Sequence, residues 1–206
     1  KPMSKRLFLN AGIPVPKGGV FSRQEIFARE PMSRPYVVKP LDEGSSLGVH
    51  IVREGEESPV GDYTWSHDER VLVEDYVPGR ELTVAIMKER SLEVLEIRPS
   101  KGFYDYDSKY TKGCAEYLIP APVSDSTREE ALHLALLAHQ TLGCRGVTRS
   151  DFRYDGSEGG LGLRLLEINT QPGLTPTSLV PEIAAHVGID FQMLVKWMLE
   201  DARCNV

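Results

Sequence analysis

Two residue pairs near the end of the 206-residue chain have the types and spacing to hold a divalent cation. Arg149 and Asp151 are two apart, as are Glu167 and Asn169, so in extended strands each pair shares one face. If the two strands form a hairpin, all four side chains converge on one patch. Two carboxylates and an amide oxygen are hard ligands, suited to Mg²⁺ held together with water and phosphate. Glu167 follows Leu163, Leu165 and Leu166, an apolar setting in which an unpaired carboxylate is costly and a bound cation offsets that cost. The competing reading is a surface charge cluster in which Arg149 pairs with Asp151. A second feature is Lys39, followed by Gly44-Ser45-Ser46-Leu47-Gly48, where small residues let backbone N–H groups approach a phosphate and the serines add hydroxyls. It is not a Walker A loop, because the lysine precedes the glycines and no Gly-Lys-Ser/Thr closes it. A plain hairpin turn is the alternative. A third is Val71-Leu72-Val73-Glu74-Asp75-Tyr76-Val77-Pro78-Gly79-Arg80-Glu81, whose Glu74 and Glu81 could grip an adenine edge and ribose hydroxyls. Its alternative is an exposed turn with solvated acids.

These residues need scaffolding that the pattern partly supplies. Ser4 to Ala11 reads as a short helix stopped by Gly12, Pro14 and Pro16. Tyr36 to Lys39, Val49 to Val52 and Val71 to Tyr76 read as strands, the last broken by Pro78-Gly79. Glu81 to Met87 and Leu92 to Ile97 are expected to pair across Glu89-Arg90. Residues 99–113 are rich in Tyr, Asp, Lys and Gly without apolar period, and read as a long functional loop. Ser126 with Glu129 predicts a capping box at the start of a helix that ends at Gly143. Strands over Val147 to Tyr154 and Leu161 to Asn169 follow, then two short helices, the second opening at Asp190. Antiparallel strand pairs with few βαβ units predict an α+β fold of two lobes.

Composition sets outer bounds. Hydrophobic residues at 41% and charged residues at 26% fit a globular chain and exclude disordered or fibrous classes. Lys plus Arg number 24 and Asp plus Glu 30, a net charge of −6 that argues against a nucleic-acid partner. No apolar run approaches the roughly 20 residues of a membrane span. Lys1-Pro2-Met3-Ser4-Lys5 carries neither an initiator Met nor a signal core, which reads as a fragment or processed piece. Cys114, Cys144 and Cys204 share no metal-ligand spacing, and His133 and His139 lack the i, i+4 spacing of a zinc pair.

The ordered set of strand lysine, Gly/Ser flap, Val71–Glu81 segment and final Glu167-Ile168-Asn169 resembles the ATP-grasp superfamily. Within it, Glu43-Gly44-Ser45-Ser46-Leu47-Gly48-Val49, Gly102-Phe103-Tyr104-Asp105-Tyr106-Asp107-Ser108-Lys109-Tyr110, Leu166 through Thr175, and Ser178-Leu179-Val180-Pro181 resemble the D-alanine–D-alanine ligase family. The resemblance covers essentially the whole chain and corresponds to the family's central and C-terminal parts, without its N-terminal substrate domain.

That resemblance implies an ATP-grasp fold, with two α+β lobes gripping ATP between antiparallel sheets. Residues 1–75 would form the small lobe with the flap, and residues 76–206 the large lobe with loop 99–113 and the metal site. It implies ATP-dependent joining of two D-alanines through an acyl phosphate, for peptidoglycan precursors, in the cytoplasm, by a homodimer of the full-length protein. Another ATP-grasp carboxylate–amine ligase, or a nucleotide-binding module without catalysis, are the alternatives. Lys1 and Lys39 would hold the phosphates. Glu74 would accept from the adenine amino group, Val77 would offer backbone contacts, Glu81 would hold the ribose and Phe103 would pack on the adenine. Asp151, Glu167 and Asn169 match ligands of two Mg²⁺ (or Mn²⁺), with Glu167 bridging. Arg149 and the Gly173 N–H would stabilise the oxyanion. Lys109, Ser178, Leu179 and Tyr104 would recognise substrate, and Ser45 with Tyr110 would tie the long loop to the flap. The Lys109-Tyr110 pair favours the dipeptide over D-alanyl-D-lactate. A family glutamate that completes the Ser45–Tyr110 arrangement lies in the missing N-terminal domain.

Overall fold

Apolar alternation in Tyr36-Val37-Val38-Lys39-Pro40 builds the first of two antiparallel sheets. The computed structural model describes residues 1–41, 48–56, 70–99 and 115–202. This sheet has the order β1-β4-β2-β3, from β1 (Gly18–Ser22), β2 (Tyr36–Pro40), β3 (His50–Val52) and β4 (Arg70–Asp75). Tyr36, Val38, Val52, Val71 and Val73 point to one face and bury against Ile26 of the short helix that follows β1. That helix, α2 (Arg23–Ala28), comes after α1 (Pro2–Asn10) in chain order. A capping box holds its start: Ser22 Oγ accepts from the Glu25 N–H at 3.2 Å, and the Glu25 carboxylate accepts from the Ser22 N–H at 2.7 Å. The other face of the sheet is set by register. Val37 lies opposite Glu74 and Lys39 opposite Leu72, so both charged side chains stand together away from the core. β2 and β3 pair antiparallel across the segment that contains the flap.

The second sheet has the order β7-β6-β5-β8-β9. Its strands are β5 (Arg80–Met87), β6 (Arg90–Pro99), β7 (Ala115–Leu118), β8 (Val147–Asp155) and β9 (Gly162–Asn169). One face, with Leu82, Val84, Phe152, Leu163 and Leu165, packs on α3 (Asp125–Thr141) through Ala131, Leu134, Ala135 and Ala138. Phe8 of α1, with Ile13 and Val15, enters the same core although it precedes the first sheet in sequence. The opposite face, with Ala85, Leu95 and Ile97, packs on α4 (Leu179–His186) and α5 (Phe191–Asp201) through Val180, Ile183, Ala184 and Leu194. This sandwich buries nearly all the apolar residues of β5, and that burial is what fixes the register of the strands beside it.

Three local expectations are corrected. The capping box expected at Ser126 and Glu129 does not form; Ser124 is the N-cap, its Oγ accepting from the Thr127 N–H at 3.2 Å. Starting two residues earlier buries Thr127, whose hydroxyl reaches the Tyr154 hydroxyl at 3.2 Å. The β5–β6 turn is Lys88-Glu89, one residue earlier than expected, with Lys88 at φ 60° and its N–H donating to the Gly146 carbonyl at 2.9 Å. Gly18–Ser22 and Ala115–Leu118 are strands, and Arg23–Ala28 is a helix, where none was expected.

One irregularity matters for everything that follows. Asp151 faces Glu167, but the next residue, Phe152, faces Leu165, so Leu166 is an extra residue on β9. Leu163 and Leu165 point into the core, and strict alternation would send Glu167 after them. The bulge resets the phase and places Glu167 and Asn169 beside Asp151 and Arg149.

Candidate functional site

The four residues singled out on β8 and β9 do meet on one face, as direct cross-strand neighbours. Arg149 pairs in register with Asn169 and Asp151 with Glu167. The Arg149 guanidinium is two-pronged on Asp151, Nε to Oδ1 and Nη2 to Oδ2, both at 2.8 Å. Asn169 Nδ2 donates to Asp151 Oδ2 at 2.9 Å. Thr83 on β5, in register with Asp151, donates from its hydroxyl to Oδ1 at 2.7 Å. The Arg149–Asp151 pair of the competing reading is therefore present, but in a half-buried patch with two carboxylates and an amide rather than on an open surface.

The nucleotide-type residues line up along the first sheet. Glu74 is 2% exposed, so it is not a solvated acid. Its two oxygens take two lysines, Lys5 Nζ on Oε1 and Lys39 Nζ on Oε2, each at 2.5 Å. Sequence reading missed Lys5, because nothing in the pattern of α1 says that one turn of a helix will reach across to β4. Lys1 Nζ donates to the Pro40 carbonyl at 3.2 Å, which brings Lys1 to the end of β2 next to Lys39. The Glu167 charge also acts on Lys5, so cations from the first sheet's side and a carboxylate from the second lie within each other's field. Between α1 and the first sheet is a cavity of about 420 Å³ lined by Lys5, Leu9, Val15, Gly18, Leu72 and Glu74, among others.

Where the chain passes from one sheet to the other, Arg153 organises the backbone. Its Nε donates to the Val77 carbonyl at 3.1 Å and its Nη2 to the Gly79 carbonyl at 2.7 Å, while Nη1 lies 3.7 Å from Glu81. Gly79 has φ 89°, and a Cβ there would sit 2.2 Å from the Tyr154 carbonyl oxygen, so only glycine fits this crossing. Arg153 continues the alternation of Arg149 and Asp151, a signal present in the sequence that went unused.

Beyond β9, Ser178 occupies the N-cap position of α4, and its Oγ turns back from the helix to accept from the Thr175 N–H at 3.0 Å. A Cβ on Gly173 would lie 3.1 Å from that Oγ, so Gly173 and Ser178 are neighbours. Leu179 opens the helix, whose unpaired N–H groups suit a carboxylate. Ser45, Phe103, Tyr104, Lys109 and Tyr110 lie outside the described residues. Among the described residues no group of three or more His, Cys, Asp or Glu side chains is clustered.

Burial pushes the Lys5 ammonium down from 10.5 to about 8; Lys39 adds to the fall, while Glu74 and Glu167 oppose it. The folded chain therefore gives up this proton earlier than the unfolded chain does. Below about pH 8 the cost of burying the charge is present in full, and it is relieved as pH rises toward 10.5. Relative to Lys5→Met, wild type should gain stability by roughly 1.4 kcal/mol per pH unit across that window. Urea midpoints measured from pH 7.5 to 10 check this, and parallel curves for the two proteins would remove Lys5 as the titrating group.

A family profile described as "D-ala D-ala ligase C-terminus" matches residues 7–200. The D-alanine–D-alanine ligase of Paramagnetospirillum magneticum is 53% identical over 100% of this chain and 68% of its own length. That of a Chelativorans strain is 54% identical over 99% of this chain and 68% of its own. Among solved structures, the D-alanine–D-alanine ligase of Bacillus anthracis superposes with a TM-score of 0.80 at 26% identity, covering 98% of this chain and 66% of that one. A structure of the Bacillus anthracis enzyme complexed with ATP gives 0.75 at 25% identity, covering 98% and 65%. The VanG D-Ala:D-Ser ligase of Enterococcus faecalis gives 0.79 at 29%, covering 97% and 60%. The chain thus spans about two thirds of the length of the relatives it matches.

Proposed function

This chain belongs to the D-alanine–D-alanine ligase family, an ATP-dependent ligase of ATP-grasp fold, and we propose that its protein joins two D-alanines through an acyl phosphate. Such a dipeptide is a building block of peptidoglycan. The observation that carries the residue-level reading is a lysine set and a carboxylate set within each other's field. Lys39 and Lys5 gather on buried Glu74, and Lys5 feels the charge of Glu167 in the Asp151–Glu167–Asn169 patch. A nucleotide triphosphate with a divalent cation needs such a division, with ammonium groups for phosphate oxygens and carboxylates for the metal.

The donor set fits Mg²⁺ (or Mn²⁺). Asp151, Glu167 and the Asn169 amide offer oxygen ligands on one face, and in this reading they would hold two ions. Those ions would neutralise phosphate charge when bound. The chain's own residues do the rest. Lys1 and Lys39 hold the phosphates; Glu74 accepts from the adenine amino group, Val77 offers its backbone, Glu81 holds the ribose and Phe103 packs on the base. Arg149, with the N–H of Gly173, stabilises the oxyanion that forms when the second amine attacks the acyl phosphate. Ser178, Leu179, Lys109 and Tyr104 receive the substrate carboxylates, the first two at the N-terminus of α4. Ser45 and Tyr110 close loop 99–113 onto the flap. We also place the lobe boundary between residues 75 and 76, and the full-length protein in the cytoplasm as a homodimer.

The test is formation of ADP and dipeptide by the complete protein with ATP, Mg²⁺ and a panel of D-alanine, D-serine and D-lactate. D-alanine-dependent ADP release with D-alanyl-D-alanine as product is the expected result. Turnover that ignores D-alanine overturns the assignment.

A further inference from the structure

Glu74 is a buried carboxylate with two cations, and only one of them, Lys39, has a place in the nucleotide reading. Lys5 is 7% exposed, lies on α1 and touches Glu74 Oε1 at 2.5 Å. Lys39 touches the other oxygen at the same distance from β2. Lys5 Nζ and Glu74 Oε1 are in direct contact, an ion pair that also carries a side-chain hydrogen bond. A carboxylate this deep cannot be left without a counter-charge, because removing one partner of a buried pair strands the other at high cost. If Lys39 were the sole partner, every transfer of its ammonium to a phosphate would incur that cost.

We propose that Lys5 is a positioning residue that keeps Glu74 neutralised, so that Lys39 can leave it for the phosphates of the nucleotide. This rests on the nucleotide reading of the site. Lys5 itself does not touch the phosphates in this role. It also holds Glu74 in place, and because a carboxylate has several acceptor lone pairs, the contact with the adenine amino group does not depend on where Lys39 sits.

The experiment measures binding of ATP and of adenosine to the complete protein by calorimetry, for wild type, Lys5→Met, Glu74→Gln and the double variant. Lys5→Met should weaken ATP about 10- to 100-fold, since Lys39 is then retained by Glu74. Adenosine, which makes no demand on Lys39, should be affected less than about threefold. In the Glu74→Gln background, where no buried carboxylate holds Lys39 back, adding Lys5→Met should change ATP affinity by less than about threefold. ATP binding unchanged in Lys5→Met overturns the proposal, as does an equal loss for ATP and adenosine, which marks a merely structural lysine. Persistence of the full loss in the Glu74→Gln background overturns it too, by pointing to direct contact between Lys5 and phosphate. Should Lys5→Met not fold, the comparison of Glu74→Gln with the double variant decides alone. Wild type that binds no ATP would instead remove the nucleotide reading, and this proposal with it.

Discussion

Arg149→Ala is expected to lower kcat for dipeptide formation by about 10²–10³-fold, with ATP affinity changed far less. The guanidinium is held ready by two 2.8 Å bonds to Asp151, and Asp151 is in turn held by Thr83 and Asn169. A group fixed in this way contributes most where charge develops late, on the oxyanion, and little to the ground state. Arg149→Lys should recover only a small part of the loss, because a single ammonium cannot reproduce a planar two-pronged contact. Steady-state kinetics together with separate ATP binding read the two effects apart. A kcat within about threefold of wild type would take the oxyanion role away from Arg149. A loss confined to ATP affinity would make it a support for Asp151 instead.

Glu167→Gln is expected to reduce turnover at least as severely, by on the order of 10³-fold, with the fold intact. The substitution keeps shape and removes the charge proposed to bridge two cations. The strand pair that carries Glu167 is held by its backbone ladder to β8, so losing the carboxylate should move the urea midpoint little. Divalent-ion titration followed by Mn²⁺ spectroscopy gives a readout that does not depend on turnover; the ion should bind about tenfold more weakly or worse. An unfolded Glu167→Gln variant would make the carboxylate structural, and undiminished metal binding would place the ions elsewhere.

The two predictions draw on different depths of legibility. The β8–β9 site was readable because period two alone puts Arg149 with Asp151 and Glu167 with Asn169, and the connection between their strands is short. What it did not show was how Glu167 escapes Leu163 and Leu165, since a bulge leaves no composition signature. Glu74 was read as an adenine acceptor by resemblance, yet its burial and its two lysines depend on packing between α1 and the first sheet, contacts far apart in sequence. Edge strands were missed for ordinary reasons: Gly18-Gly19 has no side chains with strand propensity, and Ala115–Leu118 is only four residues long. The Ser22–Glu25 box was visible and overlooked, because the helix it opens has only six residues.

The extra residue at Leu166 has a consequence for how the site tolerates change. It acts as a reading-frame shift for sidedness: upstream of it odd-numbered residues of β9 belong to the core, and downstream they belong to the chemistry. Point substitutions on either side are therefore local events, and so is loss of the extra residue itself: with Leu166 deleted, Glu167 follows Leu165 directly and simple alternation keeps it on the site face, still across from Asp151. What breaks the site is a strand that keeps Leu166 but pairs without the bulge. Leu166 then stands across from Asp151 and Glu167 turns toward the core, without any change in the Glu167-Ile168-Asn169 motif. The motif's chemistry thus depends on a pairing irregularity that lies outside the motif.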